Sequence, residues 1–390
     1  MNYIKCAIVS AVIVIFLIGF ACLDFLRSTS VDNYDPTISD KRLIRIYENM
    51  IDALETPSLG PSRYKKRPET QHVDCGRVLR NDEDYIRTLK GEHRIPLIKN
   101  RQLNMSCKAI KSRINYHKSF KKLKSGGVAF ARIVSSDYEF IERQVEMSWH
   151  PQNFFCFAVD KDAPRSFQEN LKKLGECMEN IVVIPETMVD QKILNKPMKV
   201  VSGSVQSSWS REAVRWLIED ADLTIAISQF DQTSYASDEQ LFPSLQVNKE
   251  YGMPGHYTHE CLDQEAGNEQ ITRFVNWAHG DINNCVTKTV RNGVCLVGIE
   301  EFYAISKMPA IVISEMLPSF DYTVLECTAE LLFNRTFLNQ LDNVLDEEYY
   351  KTLPAVLYHK NRDDPEFQVN CTSSHKIWKY DDYFKKKQEE

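Results

Sequence analysis

The chain has 390 residues, of which 43% are hydrophobic and 26% charged, with a formal net charge of −6. That length holds one large domain or two smaller ones with appendages, and the composition is that of a globular protein rather than a disordered one. Basic residues cluster only briefly, at 65–67, 118–124 and 385–387, so the chain lacks the basic face that nucleic-acid binding requires.

The first element in chain order is apolar. After a five-residue tail, residues 6–23 run without a charge for 18 positions. A hydrocarbon core of roughly 30 Å needs about 20 such residues, so this run is expected to be a single transmembrane helix. An uncleaved anchor is favoured over a signal peptide because the run exceeds the usual apolar region of a signal, although Gly19-Phe20-Ala21 resembles a cleavage site. Either reading sends the body into the secretory pathway. Residues 24–74 are polar and broken by Pro36, Pro57, Pro61 and Pro68, which reads as a stem with one short amphipathic helix over 41–54. A body over 75–360 and a C-terminal tail over 361–390 follow.

A lumenal body is consistent with three Asn-x-Ser/Thr sequons, at Asn104, Asn334 and Asn370. Of eleven cysteines, Cys6 and Cys22 lie in the anchor, leaving nine in the body. Nine dispersed lumenal cysteines predict disulfides. They form no Cys-x-x-Cys pair, so zinc ligation is not expected.

Within the body, 128–134 reads as a buried strand, and Asp137 as the cap of a helix to about Ser148. Phe154 to Val159 reads as a second strand ending at Asp160, Ser166 to Met178 as a helix, and Ile181 to Ile184 as a third strand. This alternation is the start of a parallel, doubly wound α/β sheet, whose ligands bind beyond the carboxyl ends of the strands, where Asp160 falls. Farther on, helices are expected over 211–220, 269–277 and 322–333, and a strand over 293–297. The stretch 190–208 shows no period.

Five phrases occur in a telling order. They are Trp149-His-Pro-Gln-Asn-Phe-Phe-Cys-Phe-Ala-Val-Asp160-Lys161; Val201-Ser-Gly-Ser204 with Trp209-Ser-Arg-Glu-Ala-Val214; Ser234-Tyr-Ala-Ser-Asp-Glu239; Gly252-Met-Pro-Gly255; and Cys285 with Arg291 and Val294-Cys-Leu-Val-Gly298. Together they resemble the core-2/I-branching β-1,6-N-acetylglucosaminyltransferases, with peptide O-xylosyltransferases as relatives, over residues 75 to 335.

The resemblance implies a Rossmann-like, GT-A-type nucleotide-sugar fold on a single-pass type II Golgi membrane anchor. It implies inverting, metal-independent transfer of N-acetylglucosamine from UDP-GlcNAc to a 6-hydroxyl of a glycoprotein O-glycan, with no cofactor. The alternative is a catalytically impaired descendant acting as a lumenal glycan-binding protein. By resemblance Glu239 is the general base, while Val134, Asp160 and Arg291 contact the nucleotide sugar, Asp160 accepting from the uracil N–H. An ionised carboxylate suits a helix N-terminus, where Glu239 is expected. The resemblance also implies the pairs Cys75–Cys327, Cys107–Cys177 and Cys285–Cys295. It leaves Cys156 buried but unpaired, and Cys261 and Cys371 unassigned.

Two departures stand out. Relatives carry roughly a hundred more residues between Asn180 and Ser202, judged by length. Ser314-Glu315 stands where the family has Asn-Lys, so a carboxylate replaces the cation that faces the diphosphate and would repel it.

Overall fold

The computed structural model describes residues 64–371 apart from 101, 115–119, 124–126, 161, 185–197, 204–206, 222, 231–236, 264–271, 339, 341, 343–345 and 365. The apolar run 6–23 and the helix expected over 41–54 lie outside the described residues. Among the described residues no helix is long and apolar enough to cross a membrane. They divide into two compact units, one within Arg101–Val205 and Trp209–His256, the other within Arg63–Asn100, Gln206–Ser208 and Tyr257–Glu390. Among the described residues, helices α1 (Cys75–Leu79) and α2 (Glu83–Arg87) come first, and they belong to the second unit.

The first unit opens with α3 (Cys107–Arg113), capped by Ser106, whose hydroxyl accepts from Ala109 N. Strand β1 (Ala129–Val134), α4 (Tyr138–Met147), β2 (Phe154–Val159), α5 (Arg165–Cys177) and β3 (Ile181–Ile184) then alternate as the sequence predicts. All three strands are parallel in the order β1-β2-β3, with Ala131, Cys156 and Val182 in one row. Central β2 is an unbroken apolar run because both its faces are buried. At the edge, β1 alternates, leaving Ile133 47% exposed while Val134 is covered. Two right-handed crossovers in a sheet ordered one way place α4 and α5 on the same face. The described strands are therefore wound once, and the second winding expected of a doubly wound sheet is not among them.

Asp137 occupies the N-cap of α4 but caps nothing with its side chain. Its backbone is left-handed, φ 58°, and no side-chain cap bond forms. The helix is held instead by its buried stripe of Tyr138, Ile141, Glu142 and Val145, the spacing of one helical face. Buried Glu142 receives the Tyr138 hydroxyl at 2.7 Å and Arg113 of α3. The Cys107–Cys177 bridge ties α3 to the end of α5.

The rest of this unit is helical: α6 (Arg211–Glu219), α7 (Thr224–Phe230) and α8 (Ser237–Val247). Trp216, Leu217, Leu223, Phe230, Leu241 and Leu245 form their shared core.

In the second unit, α9 (Glu260–Asp263) carries Cys261, bridged to Cys371. Strand β4 (Arg273–Val275) pairs in parallel with β7 (Val312–Ser314), and β5 (Val290–Arg291) forms a hairpin with β6 (Val294–Cys295). Short α10 (Phe302–Ile305) and long α11 (Tyr322–Phe337) follow, then α12 (Glu347–Lys351) and α13 (Pro354–Asn361). The helix expected over 269–277 is not there: residues 273–275 are strand. Ile271, Phe274 and Val275 imitate a helical i, i+3, i+4 stripe, but Phe274 and Val275 are ladder residues beside Ile313 and Ser314.

Helix α11 begins with six consecutive buried residues, Tyr322 to Cys327, so it is covered on every side there. Buried Glu326 accepts from the Tyr64 hydroxyl, Arg67 N at 3.0 Å and Thr70 Oγ1 at 2.6 Å. The end of the segment expected as a stem is thereby packed on α11, and Cys75–Cys327 fastens the next turn to the same helix. Asp321, the α11 N-cap, and Glu300 share Arg94; burial raises the Asp321 carboxyl, and the guanidinium opposes that rise.

All three disulfides implied by the resemblance are present, and Cys261–Cys371 is a fourth. Cys156 is buried in β2 as expected. It is not unpaired, however: it is disulfide-bonded. Closing the ten-residue span of Cys285–Cys295 restricts the unfolded hairpin. Replacing both cysteines by serine is expected to cost about 2–3 kcal/mol in a denaturant titration.

Candidate functional site

At the carboxyl edge of the sheet the chain leaves β2 through a turn built on Asp160. The Asp160 amide donates to Val134 O at 2.9 Å, so two of the three residues expected to contact a nucleotide sugar are adjacent. Asp160 Oδ1 accepts from Asp162 N at 2.8 Å, an Asx turn that fixes the carboxylate at the strand end. This is the position where open α/β sheets bind ligands, and a carboxylate there is an acceptor for a nucleobase N–H.

Glu239 lies three residues into α8, half-buried. The helix contains Pro243. An extended segment over 199–203 is bonded to it: Val201 N donates to Ser244 Oγ at 2.9 Å, Lys199 exchanges two 2.9 Å bonds with the Asn248 amide, and Gly203 N donates to Glu239 O at 2.8 Å. Residues of the stretch without a readable period thus connect to the helix that carries the expected base.

Arg291 belongs to the second unit, at the end of β5. The hairpin turns through Asn292 and Gly293, with φ of 51° and 81°, the pair of left-handed residues that a two-residue hairpin loop demands. Its side chain, 51% exposed, meets Glu315 Oε1 at 2.6 Å. Glu315 follows β7 and its own carbonyl accepts from Val297 N at 2.9 Å. On β4, Arg273 Nη2 donates to Ser314 Oγ at 2.6 Å. Burial pulls the Arg273 guanidinium below its ordinary value, opposed by the charge of Glu315. Two cations and one carboxylate therefore cluster where β4, β5 and β7 end.

Sequence reasoning missed Trp277. It bridges to Val294 of the hairpin, its ring lies against Gly293, and it is 50% exposed. A half-open indole is a flat apolar platform with a polar edge. The Asn-Gly dipeptide at 292–293 was the signal for the hairpin beneath it.

Two of the sequons are open. Asn104 is exposed, with Oδ1 accepting from Ser106 N at 2.9 Å, and Asn370 is exposed next to Cys371. Asn334 is half-buried inside α11. Glycans attach at accessible loop asparagines, so glycopeptide mapping of secreted chain is expected to find Asn104 and Asn370 modified and Asn334 bare.

Residues 128–192 and 185–306, which hold the sheet, α8 and the Arg291 hairpin, match the family model of the core-2/I-branching enzymes. The chain carries a core-2/I-branching enzyme domain. That match comes as two segments overlapping at 185–192. Among curated relatives, a bovine (Bos taurus) beta-1,3-galactosyl-O-glycosyl-glycoprotein beta-1,6-N-acetylglucosaminyltransferase is 24% identical over 159 residues, 38% of this chain and 34% of the relative. A second Bos taurus protein, numbered 3 under the same name, is 24% identical over 127 residues, 30% of this chain and 29% of its own. A bovine herpesvirus 4 protein with that name is 25% identical over 127 residues, with the same shares. The chain spans about a third of the length of the curated relatives it matches.

Proposed function

We propose that this core-2/I-branching domain is a GT-A-type, inverting transferase that moves N-acetylglucosamine from UDP-GlcNAc to a 6-hydroxyl of a glycoprotein O-glycan. The observation that carries the reading is Asp160 locked beside Val134 at the carboxyl edge of a parallel sheet within the matched family segment. Asp160 and Val134 bind the uridine, Arg291 binds the diphosphate, and Glu239 takes the proton of the acceptor hydroxyl. The half-open Trp277 ring supplies an apolar face on which a sugar can stack. The apolar run 6–23 anchors the chain as a single-pass type II protein of the Golgi membrane, with the domain in the lumen.

The chemistry asks for little else. Positive charge beside the departing diphosphate stabilises the charge that develops there, and a positioned carboxylate removes one proton. Isothermal titration with UDP and UDP-GlcNAc, followed by product analysis with a core-1 disaccharide acceptor, tests the assignment. Absence of UDP binding to the full chain would refute it.

A second reading is favoured by one contact, the 2.6 Å pair of Arg291 and Glu315. A guanidinium already neutralised by a carboxylate holds a diphosphate weakly, which fits a non-catalytic glycan-binding descendant. Binding of UDP without product separates the two.

A further inference from the structure

The geometry points to residues 199–203 as a strap that positions Glu239, with Gly203 its decisive residue. The inference rests on the reading of Glu239 as general base. Pro243 sits inside α8. Proline has no amide hydrogen, so the carbonyl four residues earlier loses its helical donor. That carbonyl is Glu239's, and the Gly203 N–H donates to it at 2.8 Å. A bond that the helix cannot supply is thus supplied from a distant segment.

The same segment is held at two further points, each two residues apart along the strap. Val201 N donates to Ser244 Oγ, and the Asn248 amide brackets Lys199, accepting from its N–H and donating to its carbonyl. Ser244 and Asn248 are 0% and 3% exposed, so these are built, desolvated contacts rather than surface accidents. Ser244 and Asn248 lie four residues apart, one turn of the backbone, with Asn248 N donating to Ser244 O. A Cβ on residue 203 would stand 2.7 Å from Pro243 Cγ and 3.1 Å from its Cβ. Only glycine lets the strap come close enough to reach the Glu239 carbonyl.

Glu239 lies in the first turn of its helix, where the amides lack intrahelical partners and the backbone is loosest. Fixing its carbonyl fixes the main chain from which the carboxylate projects. A reacting group displaced by about 1 Å loses on the order of a hundredfold in rate without loss of binding.

Pro243→Ala separates positioning from packing. It restores the N–H at 243, which recaptures the Glu239 carbonyl and releases Gly203, while improving the helix. The expected result in the full chain is an unchanged or raised melting temperature, unchanged UDP affinity and unchanged donor KM. Turnover with UDP-GlcNAc and a core-1 acceptor should fall by about tenfold or more. Gly203→Ala should lower the melting temperature and turnover together, and adding Pro243→Ala should restore the temperature but not the rate. If Glu239→Gln abolishes turnover while Pro243→Ala keeps the wild-type rate, the strap is refuted and the base stands. If Glu239→Gln retains turnover, or the wild-type chain has none, the base assignment falls and the strap with it.

Discussion

Glu239→Gln is expected to lower turnover by about 10²–10⁴-fold while leaving UDP affinity unchanged. Inverting transfer is a single in-line displacement, so the acceptor hydroxyl must lose its proton as it attacks. A hydroxyl is far too weak an acid to do so unaided at neutral pH, and a carboxylate held within hydrogen-bond reach is the usual remedy. Glutamine keeps the shape and the hydrogen-bonding capacity of the side chain but cannot accept the proton. Asp238 is the nearest competitor, yet successive helical residues point about 100° apart, so the two cannot serve one hydroxyl. The comparison to run is Glu239→Gln against Asp238→Asn, each assayed for transfer to a core-1 acceptor and for UDP binding. Near-normal turnover in Glu239→Gln with intact UDP binding would overturn the assignment, and loss confined to Asp238→Asn would transfer the role.

Glu315→Lys is expected to tighten UDP binding by about tenfold, roughly 1.4 kcal/mol. In the native chain the Glu315 carboxylate sits 2.6 Å from Arg291 and interacts with Arg273. An incoming diphosphate must displace that carboxylate or bear its repulsion. Lysine converts one attraction and one repulsion into two attractions. The figure is modest because Arg291 is half-exposed and solvent screens it. Raising ionic strength should shrink the gain, since the Debye length falls to about 8 Å at physiological salt. Arg291→Ala should weaken binding in the native background. Equal calorimetric affinities for wild type and Glu315→Lys would show that the diphosphate lies elsewhere. The sequence led us to expect a carboxylate facing the diphosphate; the structure pairs that carboxylate with Arg291.

What the sequence revealed follows from how local each signal is. Strands β2 and β3 were legible to the residue because strands buried in a parallel sheet read as short unbroken apolar runs between turns. Helices α5 and α6 were legible through their stripes, Phe167-Leu171-Leu174 and Ala213-Trp216-Leu217. Strand β4 was misread because its three residues pair with partners 39 positions away, and no local period reports such a partner. The position of Asp160 just past β2 was legible because a strand end is a local feature. The Arg291–Glu315 pair spans 24 residues and the Gly203–Glu239 bond spans 36, so neither leaves a mark that spacing could expose. Pro243 did leave one. A proline within a helical run announces an orphaned carbonyl, though not the group that satisfies it.

Helix α11 has a mechanical meaning. The chain approaching from the N-terminal side meets it first at Glu326, through three hydrogen bonds to one carboxylate, and then at Cys327, through a covalent bridge. A pull on the residues ahead of Tyr64 would be resisted in two stages: a soft one that yields and re-forms, and a hard one that does not. The strain stops in a helix enclosed on every side, before it reaches the hairpin of Arg291, which is clasped separately by Cys285–Cys295. For a domain held at one end, that arrangement is a mooring: tension on the line is taken up at the cleat and not by the working parts.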